Sequence, residues 1–253
     1  MNRAADDRRW LARPQPRSRP EIRLFCFSYA GGGAATFQSW PQLLPAAVDV
    51  CAVRLPGRES RFDEPPHTSM TAVIDELAPL IARHAIRPYA FIGHSLGALV
   101  AFELARRLRR DGVPLPRHLF ASARIAPQLD EKEGIAVHTL PDALLREHLR
   151  RLEGTPAEVL GDEDLMALVL PAIRADYQIA ETYRHTTEPP LDVPISAFMG
   201  LRDSHTDPDR VEAWREQASS ARFDVVRFQG GHFFIDEQPR LVTEAVVRRL
   251  FAR

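Results

Sequence analysis

A serine at position 95 lies in the run Gly93-His94-Ser95-Leu96-Gly97, with a glycine two residues away on either side. A short apolar stretch precedes the run, and after it the apolar residues shift to helical spacing, so the run joins a strand directly to a helix. So sharp a turn strains the serine backbone, and the glycines keep side chains out of the space where strand and helix nearly touch. The hydroxyl is thereby pushed out above a sheet, placed as a nucleophile. An alcohol is a poor nucleophile at neutral pH, so Ser95 needs a base that takes its proton and later returns it to a leaving group.

Of the nine histidines, His232 is placed best for that task. It follows a strand candidate at 223–228 and the pair Gly230-Gly231, and it precedes the last helix, where loops at the carboxyl ends of parallel strands meet ligands. His94 adjoins the nucleophile but points away from it, since successive residues in the elbow diverge. His205 ranks below His232 as a base, and His67, His84, His118, His138, His148 and His185 read as surface or packing residues. A histidine base must be held in one tautomer and its cation stabilised by a carboxylate. Asp203, just beyond a strand at 195–199, completes the chain order Ser, Asp, His. Asp207 and Asp209 are rivals in the same loop, although Asp207 suits a helix cap ahead of Pro208.

Charge that develops on a carbonyl oxygen calls for two backbone N–H donors. Leu96, the residue after the nucleophile, supplies one; Ala30, leading into Gly31-Gly32-Gly33, supplies the other. The glycine run could instead be a phosphate loop or a plain turn. A Walker loop ends in Gly-Lys-Ser/Thr, and the one lysine of the chain is Lys132. That scarcity also leaves little room for Schiff-base or Ser-Lys chemistry.

The elements that must position these residues follow from hydrophobic periodicity. Strands are expected at 24–29, 48–55, 89–92, 118–121, 195–199 and 223–228, and helices at 71–84, from 96 to a cap at Gly112, and after 228. In the last helix Leu241, Val242, Ala245, Val246 and Leu250 are expected to face inward. Strands alternating with helices imply a mostly parallel central sheet with helices on both faces. From about 125 to 190 that rhythm breaks, leaving helical patterns near 141–152 and 164–183. Leu144, Leu145, Leu149 and Leu152 form one expected stripe, Leu165, Leu168, Val169 and Ile173 the other, with Pro171 as a kink. This segment reads as a helical lid over the sheet, with a pair of ordinary packing helices as the alternative. The expected organisation is a mobile tail at 1–20 and a single α/β domain at 21–253, of the α/β-hydrolase fold, carrying the lid insertion.

A chain of 253 residues can bury one sizeable core. Its formal net charge of -1 gives no general attraction to nucleic acid or anionic membranes, so neither is expected as a partner. Cys26 and Cys51 sit in apolar runs outside any metal-ligand or CxxC pattern and read as buried, reduced thiols; no metal is expected. Arg8 and Arg9 form a twin-arginine pair, but no apolar stretch follows to make an export signal, so a cytoplasmic location is expected. The protein is also expected to be a monomer.

The chain resembles the type II thioesterases that accompany polyketide synthases and nonribosomal peptide synthetases. The resemblance is carried by Phe27-Ser28-Tyr29-Ala30-Gly31-Gly32, Arg54-Leu55-Pro56-Gly57-Arg58-Glu59, Gly93-His94-Ser95-Leu96-Gly97-Ala98, Arg174-Ala175-Asp176-Tyr177, Gly200-Leu201-Arg202-Asp203 and Gly230-Gly231-His232-Phe233-Phe234. Ser28 stands where proline is common and Leu96 where methionine is common; neither change removes a backbone donor. The resemblance implies hydrolysis of acyl groups from the phosphopantetheine arm of carrier-protein domains, which clears aberrant or stalled units. The arm belongs to the substrate, and no cofactor of the protein's own is implied. A carboxylesterase or an acyltransferase would use the same triad, and an inactive synthase-docking module is the reading from another class.

Overall fold

The computed structural model describes residues 3–129, 135–152, 154–219 and 222–252, and of residues 3–6 the backbone alone; Lys132 and the rest of 130–134 lie outside the described residues. Seven strands form one sheet: β1 (Leu11–Ala12), β2 (Ile22–Phe27), β3 (Val48–Val53), β4 (Tyr89–His94), β5 (Leu119–Ser122), β6 (Ile195–Gly200) and β7 (Phe223–Phe228). The spatial order is β1-β3-β2-β4-β5-β6-β7, with every pairing parallel except β1 with β3. The chain leaves β2 toward one edge, then crosses back to lay β4 on the other side of β2. The crevice outside the carboxyl ends of β2 and β4 is therefore a topological switch point, where α/β sheets bind ligands.

Period-2 alternation divides the strand residues between two faces. Phe25, Phe27, Cys51, Val53 and Phe91 pack on one face beneath the helices Met70–His84 and Leu96–Arg110. Leu24, Cys26, Val50, Ala52 and Ile92 pack on the other, against Trp40 and the helix Pro239–Leu250. Both thiols are free and buried. No strand lies between 125 and 190 among the described residues. Two main helices, Asp142–Leu152 and Glu163–Thr182, instead pack around a small core of their own built from Leu145, Leu149, Met166, Leu170 and Ile173.

Four expectations need correction: the apolar stripes of the two insertion helices, the inward face of the last helix, and the mobile tail. Leu144, Leu165, Leu168 and Leu241 are exposed by 42 % or more, on the solvent side of helices whose inward arcs run through other residues. Val242, Ala245 and Val246 do face inward in the last helix. The segment read as a mobile tail carries the helix Arg3–Trp10 and strand β1, with Leu11 opposite Val53. Trp10 is buried, and the Arg61 guanidinium lies 3.7 Å from its ring centroid. Its Arg- and Pro-rich composition hides this, because two apolar residues suffice when a neighbouring strand offers an unpaired edge.

Candidate active site

Segments leaving the carboxyl ends of β2, β4, β5, β6 and β7 converge on one cavity of about 570 Å³, whose lining includes Ala30, Ser95, Leu96, Ala123, His205 and His232. Ser95 follows β4 directly and has φ 55° and ψ -115°, a left-handed conformation imposed by the strand-to-helix turn. Its flanking glycines are sterically required: a Cβ on Gly93 would run into the Gly97 carbonyl, and one on Gly97 into the Phe27 carbonyl. The turn is anchored by Ser95 N–H donating to the Ser122 carbonyl at 2.7 Å. Beyond it runs the 15-residue helix Leu96–Arg110, whose positive N-terminal end faces the serine.

His232 Nδ1 donates to Asp203 Oδ2 at 2.8 Å, and the Asp203 side chain is fully buried. The other carboxylate oxygen accepts the His205 N–H at 2.9 Å. Burial alone would raise the Asp203 pKa; the hydrogen bond and charge of His232, with the His205 N–H, outweigh it and hold the carboxyl below its usual range. An ionised Asp203 fixes the proton of His232 on Nδ1 and leaves Nε2 to act as a base. Asp207 is engaged elsewhere, since its Oδ1 accepts the N–H groups of Asp209 and Arg210 as the cap of the helix Pro208–Glu212. His205 lies edge-on to His232, with ring centroids 5.4 Å apart.

The loop after β2 spends part of its backbone N–H groups within the protein. Gly31 N–H goes to Asp176 Oδ2 at 2.8 Å and Gly32 N–H to the Tyr29 carbonyl at 2.9 Å. Ala30 lines the cavity beside Ser95, and Leu96, at the first position of its helix, has an N–H with no intrahelical acceptor.

A family model described as "Thioesterase domain" matches residues 22–253. The chain belongs to the thioesterase family. Linear gramicidin dehydrogenase LgrE of Brevibacillus parabrevis is 44% identical over 238 residues, covering 92% of this chain and 90% of its own. The gramicidin S biosynthesis protein GrsT of Aneurinibacillus migulanus is 39% identical over 243 residues, covering 96% of this chain and 94% of its own. Among solved structures, the type II thioesterase BorB from the borrelidin biosynthetic cluster has a TM-score of 0.86 at 37% identity, covering 95% of this chain and 97% of that one. The α/β-hydrolase fold and the resemblance to type II thioesterases therefore both stand.

Sequence reasoning missed how this thioesterase supports its histidine. His94 Nε2 donates to the His232 carbonyl at 2.8 Å, so its Nδ1 accepts from Ser122 Oγ at 2.9 Å. The residue beside Ser95 thus props up the loop that carries His232. Tyr29 ties the loop after β2 to the segment after His232, its hydroxyl donating to Asp236 Oδ2 at 2.8 Å. Neither contact has a local pattern to announce it.

Burial, reinforced by the neighbouring His232, pushes the His94 pKa down to about 3, and burial pushes that of His118 down to about 4. The unfolded chain protonates both near pH 6.5. Between pH 6.5 and about 4 it therefore binds protons that the native state refuses, so unfolding becomes easier as pH falls. Urea midpoints measured across that interval should drop, and less steeply for His94→Gln, which removes one of the two groups. Equal slopes for the variant and the parent protein would refute this.

Proposed function

We propose that Ser95, His232 and Asp203 are a catalytic triad hydrolysing acyl thioesters borne by carrier-protein domains of a synthase. The observation that carries this reading is the 2.8 Å contact between His232 and a buried Asp203, at a cavity that Ser95 also lines. Ser95 Oγ attacks the thioester carbonyl as its proton passes to His232 Nε2. The N–H groups of Ala30 and Leu96 receive the developing oxyanion. Collapse of the tetrahedral state breaks the C–S bond, and the departing thiolate takes the proton from His232. Water, deprotonated by the same imidazole, then attacks the acyl-serine, releasing a free acid and restoring Ser95.

A cavity of about 570 Å³ is within the range of small-molecule sites and leaves room for an acyl group on a thin arm. The helices Asp142–Leu152 and Glu163–Thr182 contribute His148, Leu152, Tyr177 and Glu181 to its lining. In this reading they act as a lid, and water excluded there would strengthen each electrostatic contact with the reacting centre. No helix among the described residues is long and apolar enough to cross a membrane. In this reading the protein works as a cytoplasmic monomer that brings no cofactor of its own and meets neither nucleic acid nor lipid.

The test is intact-mass spectrometry of a panel of acylated carrier proteins before and after treatment. Loss of the acyl mass, with a free phosphopantetheine thiol and a free acid as products, is the expected result. Cleavage of matched oxygen esters alone, transfer of the acyl group to an added amine or alcohol, or consumption of a nicotinamide cofactor would each overturn it.

A further inference from the structure

Among the charged side chains that the chemistry just described leaves without a task are Arg58 and Asp176, which adjoin the loop after β2. Arg58 and Asp176 have side chains only 10% and 2% exposed, and they meet in a two-pronged pair, Nη1 to Oδ2 at 2.7 Å and Nη2 to Oδ1 at 2.8 Å. Each also holds the backbone next to Ala30. Asp176 Oδ2 accepts the Gly31 N–H at 2.8 Å, while Arg58 Nη1 donates to the Gly32 carbonyl at 2.7 Å. Glu59, adjacent to Arg58, takes the Ala35 N–H at 3.0 Å and is itself held by Arg54 Nε at 2.7 Å.

Asp176 belongs to the lid helix Glu163–Thr182. One turn earlier, Ile173 fills the space beside Gly31; a Cβ there would lie 2.8 Å from Ile173 Cγ1, and Gly31 has φ +77°. The lid helix and the donor loop are thus fitted to each other by shape as well as by charge. An apolar pair of equal volume could stabilise a fold as well as a buried ion pair does. It would, however, leave the Gly31 N–H and the Gly32 carbonyl unsatisfied.

We propose that Arg58 and Asp176 form a clamp through which the lid helix sets the position of the Ala30 N–H, making them positioning residues for the oxyanion site. The inference rests on the reading of Ala30 as an oxyanion donor. Displacement of a reacting group by about 1 Å costs on the order of a hundredfold in rate, so a loosened loop acts on the chemistry and not on substrate binding.

The test compares Asp176→Asn and Arg58→Lys with the parent protein. Arg58→Lys keeps a cation opposite Asp176, so it folds even where the amide variant does not. Rates are measured on an acyl-carrier thioester and on a small aryl ester, together with inhibition by a trifluoromethyl ketone, which forms an oxyanion adduct with an active-site serine. The expected result is a loss of about ten- to a hundredfold in kcat on both substrates, with KM within about threefold. Affinity for the ketone should fall by the same factor as kcat/KM, because both report stabilisation of the tetrahedral oxyanion. Lower melting temperatures with unchanged kcat and ketone affinity would reduce the pair to a structural brace and overturn the proposal.

Arg174→Gln provides the comparison. Arg174 is on the same helix but holds the His138 and Leu140 carbonyls, at 2.6 and 2.7 Å. An equal loss of ketone affinity in that variant would assign the effect to general loosening of the lid and reject the clamp. Should the parent protein cleave the aryl ester and not the carrier thioester, the carrier reading fails while the ester and the ketone still decide the clamp.

Discussion

Replacing Ser95 by alanine is expected to lower kcat on an acylated carrier protein by about five to six powers of ten, the scale on which a triad nucleophile acts. What remains comes from the oxyanion donors and from binding, which survive because the Ser95 N–H still reaches the Ser122 carbonyl and the Leu96 N–H stays at the helix start. Binding of the acyl carrier should change little, since the lost hydroxyl matters only as the new bond forms. Stability should change by less than about 1 kcal/mol, because no packed volume is lost and the left-handed backbone is the same strain for either residue. Intact mass should show an acylated protein when the parent is quenched during turnover, and none in the variant. A loss smaller than about a hundredfold would mean that another group attacks the carbonyl and that the proposed mechanism is wrong.

The parts of this site that could be read from sequence are those tied to strand ends. Ser95, Asp203 and His232 each follow an apolar run stopped by glycine, and those runs became β4, β6 and β7, with ends displaced by two residues at most. The clamp was legible only as two motifs without a role: Arg58 and Asp176 are 118 residues apart, and no local period predicts that they meet. His94 could be read as turning away from the cavity, but the carbonyl it holds is 138 residues further on. Helical spacing likewise shows that a stripe exists without showing which arc is covered. In the lid, Met166, Leu170 and Ile173 turn toward Leu145 and Leu149, which leaves Leu165 and Leu168 on the outside. Burial there is decided by the partner helix, a fact of tertiary structure.

Asp203→Asn is expected to lower kcat by about four powers of ten, with KM nearly unchanged, and the reason lies in the second oxygen of the carboxylate. Oδ1 accepts the His205 N–H at 2.9 Å. An asparagine must keep its carbonyl oxygen in that place, since an NH₂ group facing a backbone N–H would leave two donors opposed. Its NH₂ is then turned toward His232 Nδ1, which can meet it only as an acceptor. The imidazole proton moves to Nε2, and the base can no longer take the serine proton. The negative charge that stabilised the imidazolium is lost as well. Asp207 cannot substitute, because its Oδ1 already caps the helix Pro208–Glu212. Steady-state kinetics measure the loss, and nitrogen NMR of the imidazole reports the tautomer directly. Retention of more than a tenth of the parent rate, or a proton still on Nδ1, would show that Asp203 does not orient the base.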